Sequence, residues 1–235
     1  MSEPRPRVDA RTWLGPPKRF QHDAYLFIRM LILGVAKLLG RVRVEGSERV
    51  PTDRPFILAP VHRSNIDFAL ASLVTRRRMR YMGKDSIWKS KLLGRFVSML
   101  GAFPVHRGSA DREALRVCTE VIEHGEPLVM FPEGQRRSGP VVEDLFDGPA
   151  YVAARTGVPL VPVGIGGSER MMPKGKKLLR PSKLVLLVGE PIEPPARSDS
   201  GRVSRSAVRD LTEQLGAEVQ RLFDDAQKLA GSPNG

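Results

Sequence analysis

Short apolar runs, bounded by glycine, proline or charged residues, recur through the middle of the chain. Runs of this kind, rich in valine, leucine, isoleucine and phenylalanine, are typical of buried β-strands. The pattern predicts strands over residues 41–45, 56–59, 79–82, 101–105, 128–131, 160–163 and 184–188.

Longer segments between these runs carry apolar residues at steps of three or four, the period of a helix with one buried face. They predict helices over residues 66–75, 86–100, 112–123 and 148–156. Strands that alternate with helices indicate an α/β domain, with a central mixed, largely parallel sheet flanked by helices. Ligands bind such domains at loops beyond the strand ends.

Proline-rich stretches mark both ends of this domain. We expect residues 1–40 to form an irregular N-terminus followed by a membrane-interfacial helical segment. Residues 41–195 form the α/β domain, and residues 196–235 form a C-terminal helix, over about 203–229, and a disordered tail. No secretory signal precedes the first helix.

The segment 25–39 is strongly apolar but is interrupted by Arg29 and Lys37. A helix that spans a bilayer needs about 20 mostly apolar residues, and Arg29 would lie near the middle of this shorter stretch. Nearby aromatic and basic residues favour a helix that lies in the membrane interface. A helix buried in a soluble core remains the alternative.

Charge and cysteine content limit the classes of partner, metal site and compartment that we expect. The net charge is +12, which requires an anionic partner such as nucleic acid, membrane headgroups or a phosphorylated substrate. The single cysteine, Cys118, allows no disulfide within the chain, and no Cys/His cluster is present that would bind a metal. We therefore expect no metal, and a reducing compartment.

A histidine and an aspartate stand five positions apart where the strand 56–59 gives way to a helical pattern. Ser64 precedes the helix and is predicted to cap it, which puts Asp67 in the first turn, where its charge suits the helix dipole. His62 can then turn back towards Asp67. A carboxylate on one imidazole nitrogen fixes the tautomer and leaves the other nitrogen free as a base.

Three further segments follow in order: 101–108, which ends in His106-Arg107-Gly108; 131–139, which begins Phe-Pro-Glu-Gly-Gln-Arg; and 158–165, a strand flanked by prolines. With the His62/Asp67 segment they resemble the four sequence blocks of the glycerolipid acyltransferase family, over residues 41 to 190. The departures are Gln135, where the family has threonine, and Arg137, where it has serine.

The resemblance implies that His62 and Asp67 are catalytic and that the acceptor is bound by Lys84, Arg107, Glu133, Gly134 and Arg136. It also implies transfer of a fatty acyl group from acyl-CoA or acyl carrier protein to a lysophospholipid. The acceptor that we expect is 1-acylglycerol 3-phosphate, which would give phosphatidic acid. Glycerol 3-phosphate or another lysolipid or glycolipid remains an alternative acceptor. No cofactor beyond the thioester co-substrate is expected, and the enzyme should lie on the cytoplasmic face of an anionic membrane.

The chemistry of these residue types fits that expectation. An acceptor hydroxyl needs a base, and guanidinium groups at strand ends match phosphate oxygens. Glu133 either orders the arginines or binds the acceptor, and we favour acceptor binding. Backbone N–H groups near the start of the His62 helix are candidates for an oxyanion site. Ser64 is the competing nucleophile, but no G-x-S-x-G motif occurs, so direct transfer is predicted.

Two other classes of function stay open. The basic run 76–80 suggests nucleic-acid binding, although no aromatic stacking motif accompanies it, and we prefer a solvated or headgroup-facing cluster. A lipid-binding scaffold without catalysis would leave His62 and Asp67 idle.

Overall fold

The computed structural model describes residues 19–105, 112–176, 178–196 and 203–231. Within them, seven strands form one sheet in the order β1-β7-β6-β2-β5-β3-β4. The strands are β1 Val42–Glu45, β2 Ile57–Pro60, β3 Arg80–Lys84, β4 Ala102–Val105, β5 Leu128–Val129, β6 Leu160–Gly166 and β7 Leu184–Val188.

Seven α-helices accompany the sheet in the described residues. They are α1 Arg19–Leu39, α2 Asp67–Ala71, α3 Lys91–Met99, α4 Arg112–Glu123, α5 Gly148–Thr156, α6 Ser168–Met171 and α7 Arg205–Leu229. Strands β2, β6 and β7 are buried along their whole length, as expected for a sheet covered on both faces. The predicted α/β class and the mixed, largely parallel sheet are confirmed, whereas the division at residues 40 and 195 stays a prediction.

The direction of the strands decides where the functional loops emerge. Strands β2 to β6 run parallel to one another, and β7 is antiparallel to β6. β1 is parallel to β7, so these two strands run opposite to the other five. The carboxyl ends of β2, β3, β4, β5 and β6 therefore lie at one edge of the sheet, which we call the carboxyl edge. The amino ends of β1 and β7 meet them there.

Two predicted helices are shorter than expected. The helix predicted over 66–75 is only α2, and the helix predicted over 86–100 divides into a 3₁₀ turn, Asp85–Lys89, followed by α3. Ser90 separates the two and caps α3, because its side chain accepts a hydrogen bond from the Leu93 N–H. Apolar spacing alone continues through this break, so the sequence pattern did not reveal it.

α1 is a single helix with two different sides. Arg29 turns towards the protein and donates hydrogen bonds to the backbone carbonyls of Ser72, Leu73 and Thr75. Apolar side chains occupy the exposed side: Phe20, Phe27, Met30, Leu31, Val35 and Leu38. Among the described residues, no helix is both long enough and apolar enough to cross a bilayer.

Candidate active site

His62 lies at the carboxyl edge, two residues beyond the end of β2. Its ring stacks on Phe131, which follows β5, with centroids 4.1 Å apart and planes inclined by 27°. Its Nδ1 is 3.2 Å from Oδ2 of Asp67, and its side chain is 16% exposed. The contact that the spacing predicted is present, and Nε2 has no hydrogen-bond partner in the described part of the chain.

Asp67 is fully buried at the first position of α2. Its Oδ2 also accepts hydrogen bonds from the backbone N–H groups of Arg63 and Ser64, each at 2.6 Å. A carboxylate held by two N–H donors is an acceptor towards the ring. Nδ1 is therefore assigned as the protonated nitrogen, and Nε2 keeps its lone pair.

The predicted cap at Ser64 is wrong. The N-cap of α2 is Ile66 and forms no side-chain cap hydrogen bond. The Asp67 carboxylate takes the N–H groups of the turn itself, and the Ser64 hydroxyl donates to the Met172 carbonyl at 2.7 Å. The N–H groups of Arg63 and Ser64 are therefore occupied, so they cannot form the predicted oxyanion site.

Glu133 pairs with an arginine inside the protein, which is the first of the two roles that the sequence left open. Its side chain is fully buried. One oxygen accepts the backbone N–H of His62 at 2.8 Å, and the other accepts Nη1 of Arg63 at 2.5 Å. Both oxygens are occupied and the side chain has no exposed surface, so Glu133 holds the histidine segment, residues 62–67. Its predicted part in binding the acceptor stays a prediction. β5 neighbours β2, which brings this loop beneath His62.

Arg63 is the residue that sequence reasoning missed. Its buried guanidinium donates to the carbonyls of Gly139 at 3.1 Å and Val141 at 2.9 Å, and it lies 4.8 Å from the centroid of the Phe223 ring on α7. One side chain thus joins the histidine segment, the loop after β5 and the C-terminal helix. No local signal could have found it, because its partner Glu133 is 70 residues away.

Gly134 is explained by its own backbone. Its φ is +65°, in the left-handed region that favours glycine, and a Cβ at this position would lie 2.7 Å from the ring of Phe146. The close approach at this glycine is therefore made by another side chain of the protein. Contact with a ligand is not needed to account for this glycine.

The predicted phosphate-binding cations lie around this edge as far as the structure describes them. Lys84 ends β3 and is exposed, and Arg136 is half-buried in the loop after β5. In the described residues neither side chain forms a hydrogen bond or ion pair. β3 is two strands from β2, or roughly 10 Å. Arg107 and His106 lie outside the described residues, so convergence of Arg107 with Arg136 stays a prediction.

Comparison with known proteins identifies the family of this chain. The model of a family described as acyltransferase matches residues 41–166, which is more than half of the chain. The chain belongs to the acyltransferase family. The family resemblance predicted from the sequence blocks is therefore confirmed.

Individual relatives agree with this family. A 1-acyl-sn-glycerol-3-phosphate acyltransferase of Bacillus subtilis is 27% identical, over 87% of this chain and 100% of its own. One from Streptococcus pneumoniae is 24% identical, over 87% and 75%. The crystal structure of the 1-acyl-sn-glycerophosphate acyltransferase PlsC from Thermotoga maritima aligns with a TM-score of 0.69 and 26% identity, covering 90% of this chain and 84% of that one.

In this acyltransferase the basic run 76–80 is not a solvated cluster, which corrects that expectation. Arg77 donates to the backbone carbonyls of Pro51 and Arg54. Arg78 binds the carbonyls of Ser98 and Met99, and Arg80 forms a two-point ion pair with Glu126. Three of the four arginines are therefore used inside the fold, which removes the observation that suggested nucleic-acid binding.

The two departures of this acyltransferase from its family pattern occupy the same loop. The Arg137 N–H donates to the His62 carbonyl at 2.9 Å, and its guanidinium pairs with Glu143 at 2.7 Å. Gln135 is exposed. The larger residue at 137 thus folds against its own loop. In the described ranges no group of three His, Cys, Asp or Glu side chains is placed to hold a metal.

Proposed function

We propose that this acyltransferase moves an acyl group from an acyl thioester, acyl-CoA or acyl carrier protein, to the hydroxyl of 1-acylglycerol 3-phosphate, forming phosphatidic acid. The observation that carries the proposal is the His62 ring held by Asp67, with Nε2 open at the edge where Lys84 and Arg136 also lie. The names of the relatives support the choice of acceptor.

The reaction assigns one role to each member of the pair. Nε2 of His62 takes the proton of the acceptor hydroxyl as its oxygen attacks the thioester carbonyl carbon. The C–S bond then breaks, and the leaving thiolate takes that proton from the imidazolium and departs as a free thiol. Asp67 stabilises the imidazolium between these two steps. General-base catalysis of this kind contributes about 10²–10⁴-fold.

Direct transfer is favoured over an acyl-enzyme. Ser64 is the only hydroxyl residue in the histidine segment, and it is fully buried. Its Oγ donates to the Met172 carbonyl, so the hydroxyl proton is already bonded to a group other than His62. A nucleophile must lie within hydrogen-bond reach of its base.

The acceptor phosphate is assigned to the cations at the carboxyl edge. Lys84 supplies a point charge, and Arg136 supplies a planar fork that matches two phosphate oxygens. Neither is neutralised by a partner in the described residues. Arg107 is proposed as the third cation from its place in the sequence block. Gly134 and Glu133 shape the loop that carries Arg136.

Peripheral attachment to the cytoplasmic face of an anionic membrane is also proposed. A row of exposed apolar side chains along α1, with Phe27, Leu31 and Leu38 among them, repeats at helical spacing. Arg29, the charge that interrupts this helix in the sequence, points to the protein instead. The exposed side is therefore more apolar than the sequence implies, as expected for an interfacial helix.

The test is turnover of the purified chain with acyl-CoA and 1-acylglycerol 3-phosphate, read by lipid mass spectrometry. His62→Ala should lower turnover by about 10²–10⁴-fold or more while thermal unfolding stays unchanged. His124→Ala is the matched control, because that histidine is exposed and bonds only within α4. Retained turnover in His62→Ala would refute the assignment of His62 as the base, whereas a parent chain without turnover would favour a lipid-binding scaffold.

A panel of acceptors separates the alternatives within the class. Glycerol 3-phosphate, 1-acylglycerol 3-phosphate and a lysolipid without a terminal phosphate are compared with acyl-CoA and with acyl carrier protein. Preference for the lysolipid without the phosphate would contradict the role given to Lys84 and Arg136. An acyl group found on Ser64 would contradict direct transfer.

A further inference from the structure

The loop between α6 and β7 combines two features that nothing in the catalytic site explains. We call residues 172–176 and 178–183 the basic loop; position 177 lies outside the described residues. Four exposed cations occupy it, and its described residues include no acid: Lys174, Lys176, Arg180 and Lys183. Leu178 is 81% exposed and Leu179 is 39% exposed.

The basic loop is fixed at both ends to elements of the carboxyl edge. At its start, the Met172 carbonyl accepts the Ser64 hydroxyl, two residues from His62. The Arg180 N–H donates to the Met171 carbonyl at 2.8 Å, which closes the loop. Near its end, the Ser182 N–H donates to the carbonyl of Leu39, the last residue of α1. The loop is therefore a built projection beside the active site.

These contacts also join the basic loop to the exposed apolar side of α1. Leu38, which precedes the anchor at Leu39, is 84% exposed. An occupant that covers the end of α1 therefore lies against the base of the basic loop, where Ser182 meets Leu39. Leucines exposed among cations fit a surface that is apolar inside and anionic outside, because the leucines enter the acyl region while the cations stay at the headgroups.

We infer that the basic loop is a second membrane-docking element, and that its occupant is an anionic lipid bilayer. The inference rests on the proposed function, in which α1 provides the first contact. Contact with the bilayer at two separate points fixes the orientation of the protein on the membrane. Contact through one helix alone leaves the protein free to rotate about the axis of that helix. Docking through both α1 and the loop turns the carboxyl edge, and with it His62, towards the lipid surface from which the acceptor comes.

An acidic carrier protein is the rival occupant of a basic surface. Its charge would suit Lys174 and Lys176 equally well. The bilayer is favoured because the loop continues the apolar row of α1 through Leu38, and that row carries few charges for a protein partner to match. Carrier-protein docking is therefore an outcome of the test.

The experiment measures sedimentation of the full chain with vesicles, either of phosphatidylcholine alone or of phosphatidylcholine mixed equally with phosphatidylglycerol. Lys174→Glu/Lys176→Glu should weaken binding to the anionic vesicles by at least about 25-fold, since loss of each basic residue alone weakens binding roughly fivefold and the added carboxylates are repelled. Leu178→Ser/Leu179→Ser should weaken binding roughly tenfold, and should do so at high salt too.

The matched control is Arg205→Glu/Arg209→Glu, which makes the same change of charge at the start of α7. These arginines are exposed and lie roughly 30 Å along the helix from Ala230, which accepts a hydrogen bond from Arg170 of α6. The control should bind within about fourfold of the parent, because its charges lie beyond several screening lengths from the docked surface.

Turnover of acceptor dispersed in detergent separates docking from catalysis, and it should be unchanged in both loop variants. Parental vesicle binding by the loop variants overturns the inference. Parental vesicle binding with loss of transfer from acyl carrier protein alone also overturns it, in favour of carrier docking. A parent chain that binds vesicles but acylates no acceptor would instead refute the proposed function.

Discussion

At the scale of single residues, the ion pair between Arg63 and Glu133 accounts for the placement of His62. Both side chains are fully buried, and the pair is 2.5 Å long. Every oxygen of Glu133 has a donor, and the guanidinium also binds Gly139 and Val141. A buried pair is seldom better for stability than apolar residues of similar size. We therefore infer that the pair serves to position His62, because Glu133 accepts a hydrogen bond from the backbone N–H of His62.

Stability and position can be separated by removing one partner or both. Arg63→Met leaves a buried carboxylate unpaired and should cost about 3–5 kcal/mol of unfolding free energy. The double variant Arg63→Met/Glu133→Met removes both charges and should recover most of that loss. Turnover should stay at least about tenfold low, with the fall in kcat rather than in KM, because the His62 N–H has lost its acceptor.

Denaturant unfolding and steady-state turnover are measured for the parent, for Arg63→Met and for the double variant. Recovery of stability together with parental kcat would show that the pair only stabilises the fold. Arg221→Met is the matched control, because its ion pairs with Glu218 and Asp225 lie on the exposed side of α7. Removing such exposed pairs changes stability by less than about 1 kcal/mol.

Residue-level prediction from the sequence succeeded where a contact is local and failed where it is distant. His62 and Asp67 are close in the chain, so spacing alone predicted their contact. The role of Glu133 depends on β5 lying beside β2, which no residue near Glu133 reveals. The same limit concealed Arg63. The catalytic and acceptor-binding roles themselves, that of Arg107 included, stay predictions.

At the scale of elements, the differences between expected and observed helices come from single polar contacts. The sequence predicted the position of α4 and α5 correctly because their apolar stripes are uninterrupted. α2 ends early, and the carbonyls of residues 72, 73 and 75 that follow it receive the guanidinium of Arg29. A side chain from α1 thus supplies donors to carbonyls that follow the end of α2, where the helix leaves its last carbonyls without a partner.

Arg29→Met should therefore loosen the attachment of α1 to the domain. It removes three hydrogen bonds from a charged donor to carbonyls that lie partly out of water, so we expect a loss of roughly 2–4 kcal/mol in unfolding free energy. Hydrogen exchange should rise over residues 69–76 and along α1. Lys37→Met is the control, since this other cation of α1 is exposed and should change stability by less than about 0.5 kcal/mol. Equal effects from both changes would contradict the structural role of Arg29.

At the scale of the whole molecule, strand direction and charge placement converge on the carboxyl edge. Five parallel strands deliver the histidine segment, Lys84 and the loop with Arg136 to this edge. β1 and β7 run the other way, so the end of α1 and the basic loop reach the same edge from the opposite direction. The alternation of strand and helix patterns predicted the parallel strands. It could not predict the reversed pair, because apolar runs carry no information about direction.

The charge of +12 likewise divides by position. Arginines of the run 76–80 serve inside the fold, whereas the cations of the basic loop stay exposed without an acid beside them in the described residues. Composition alone predicted an anionic partner but could not say which cations remain free to meet it. In the proposed docking, the cations that meet the anionic partner are those of the basic loop, at the edge that also carries His62.

Integrity of this whole arrangement can be followed through Cys118, the only cysteine of the sequence. It lies fully buried on α4, and burial raises the pKa of its thiol to about 12. At pH 8 the reactive thiolate is then about one part in 10⁴ of the folded protein, against roughly a quarter for an unperturbed thiol. Alkylation of the folded chain should consequently be at least about 10³-fold slower than in denaturant, and it should follow global unfolding. Mass spectrometry after timed labelling measures both rates.

The same labelling compares the variants. Arg63→Met, which damages the core, should label faster than the parent. The basic-loop variants should label at the parental rate, because the loop changes docking and leaves the core intact. Fast labelling of the folded parent would contradict the buried position of α4, and fast labelling of the loop variants would mean that their loss of vesicle binding reports unfolding instead.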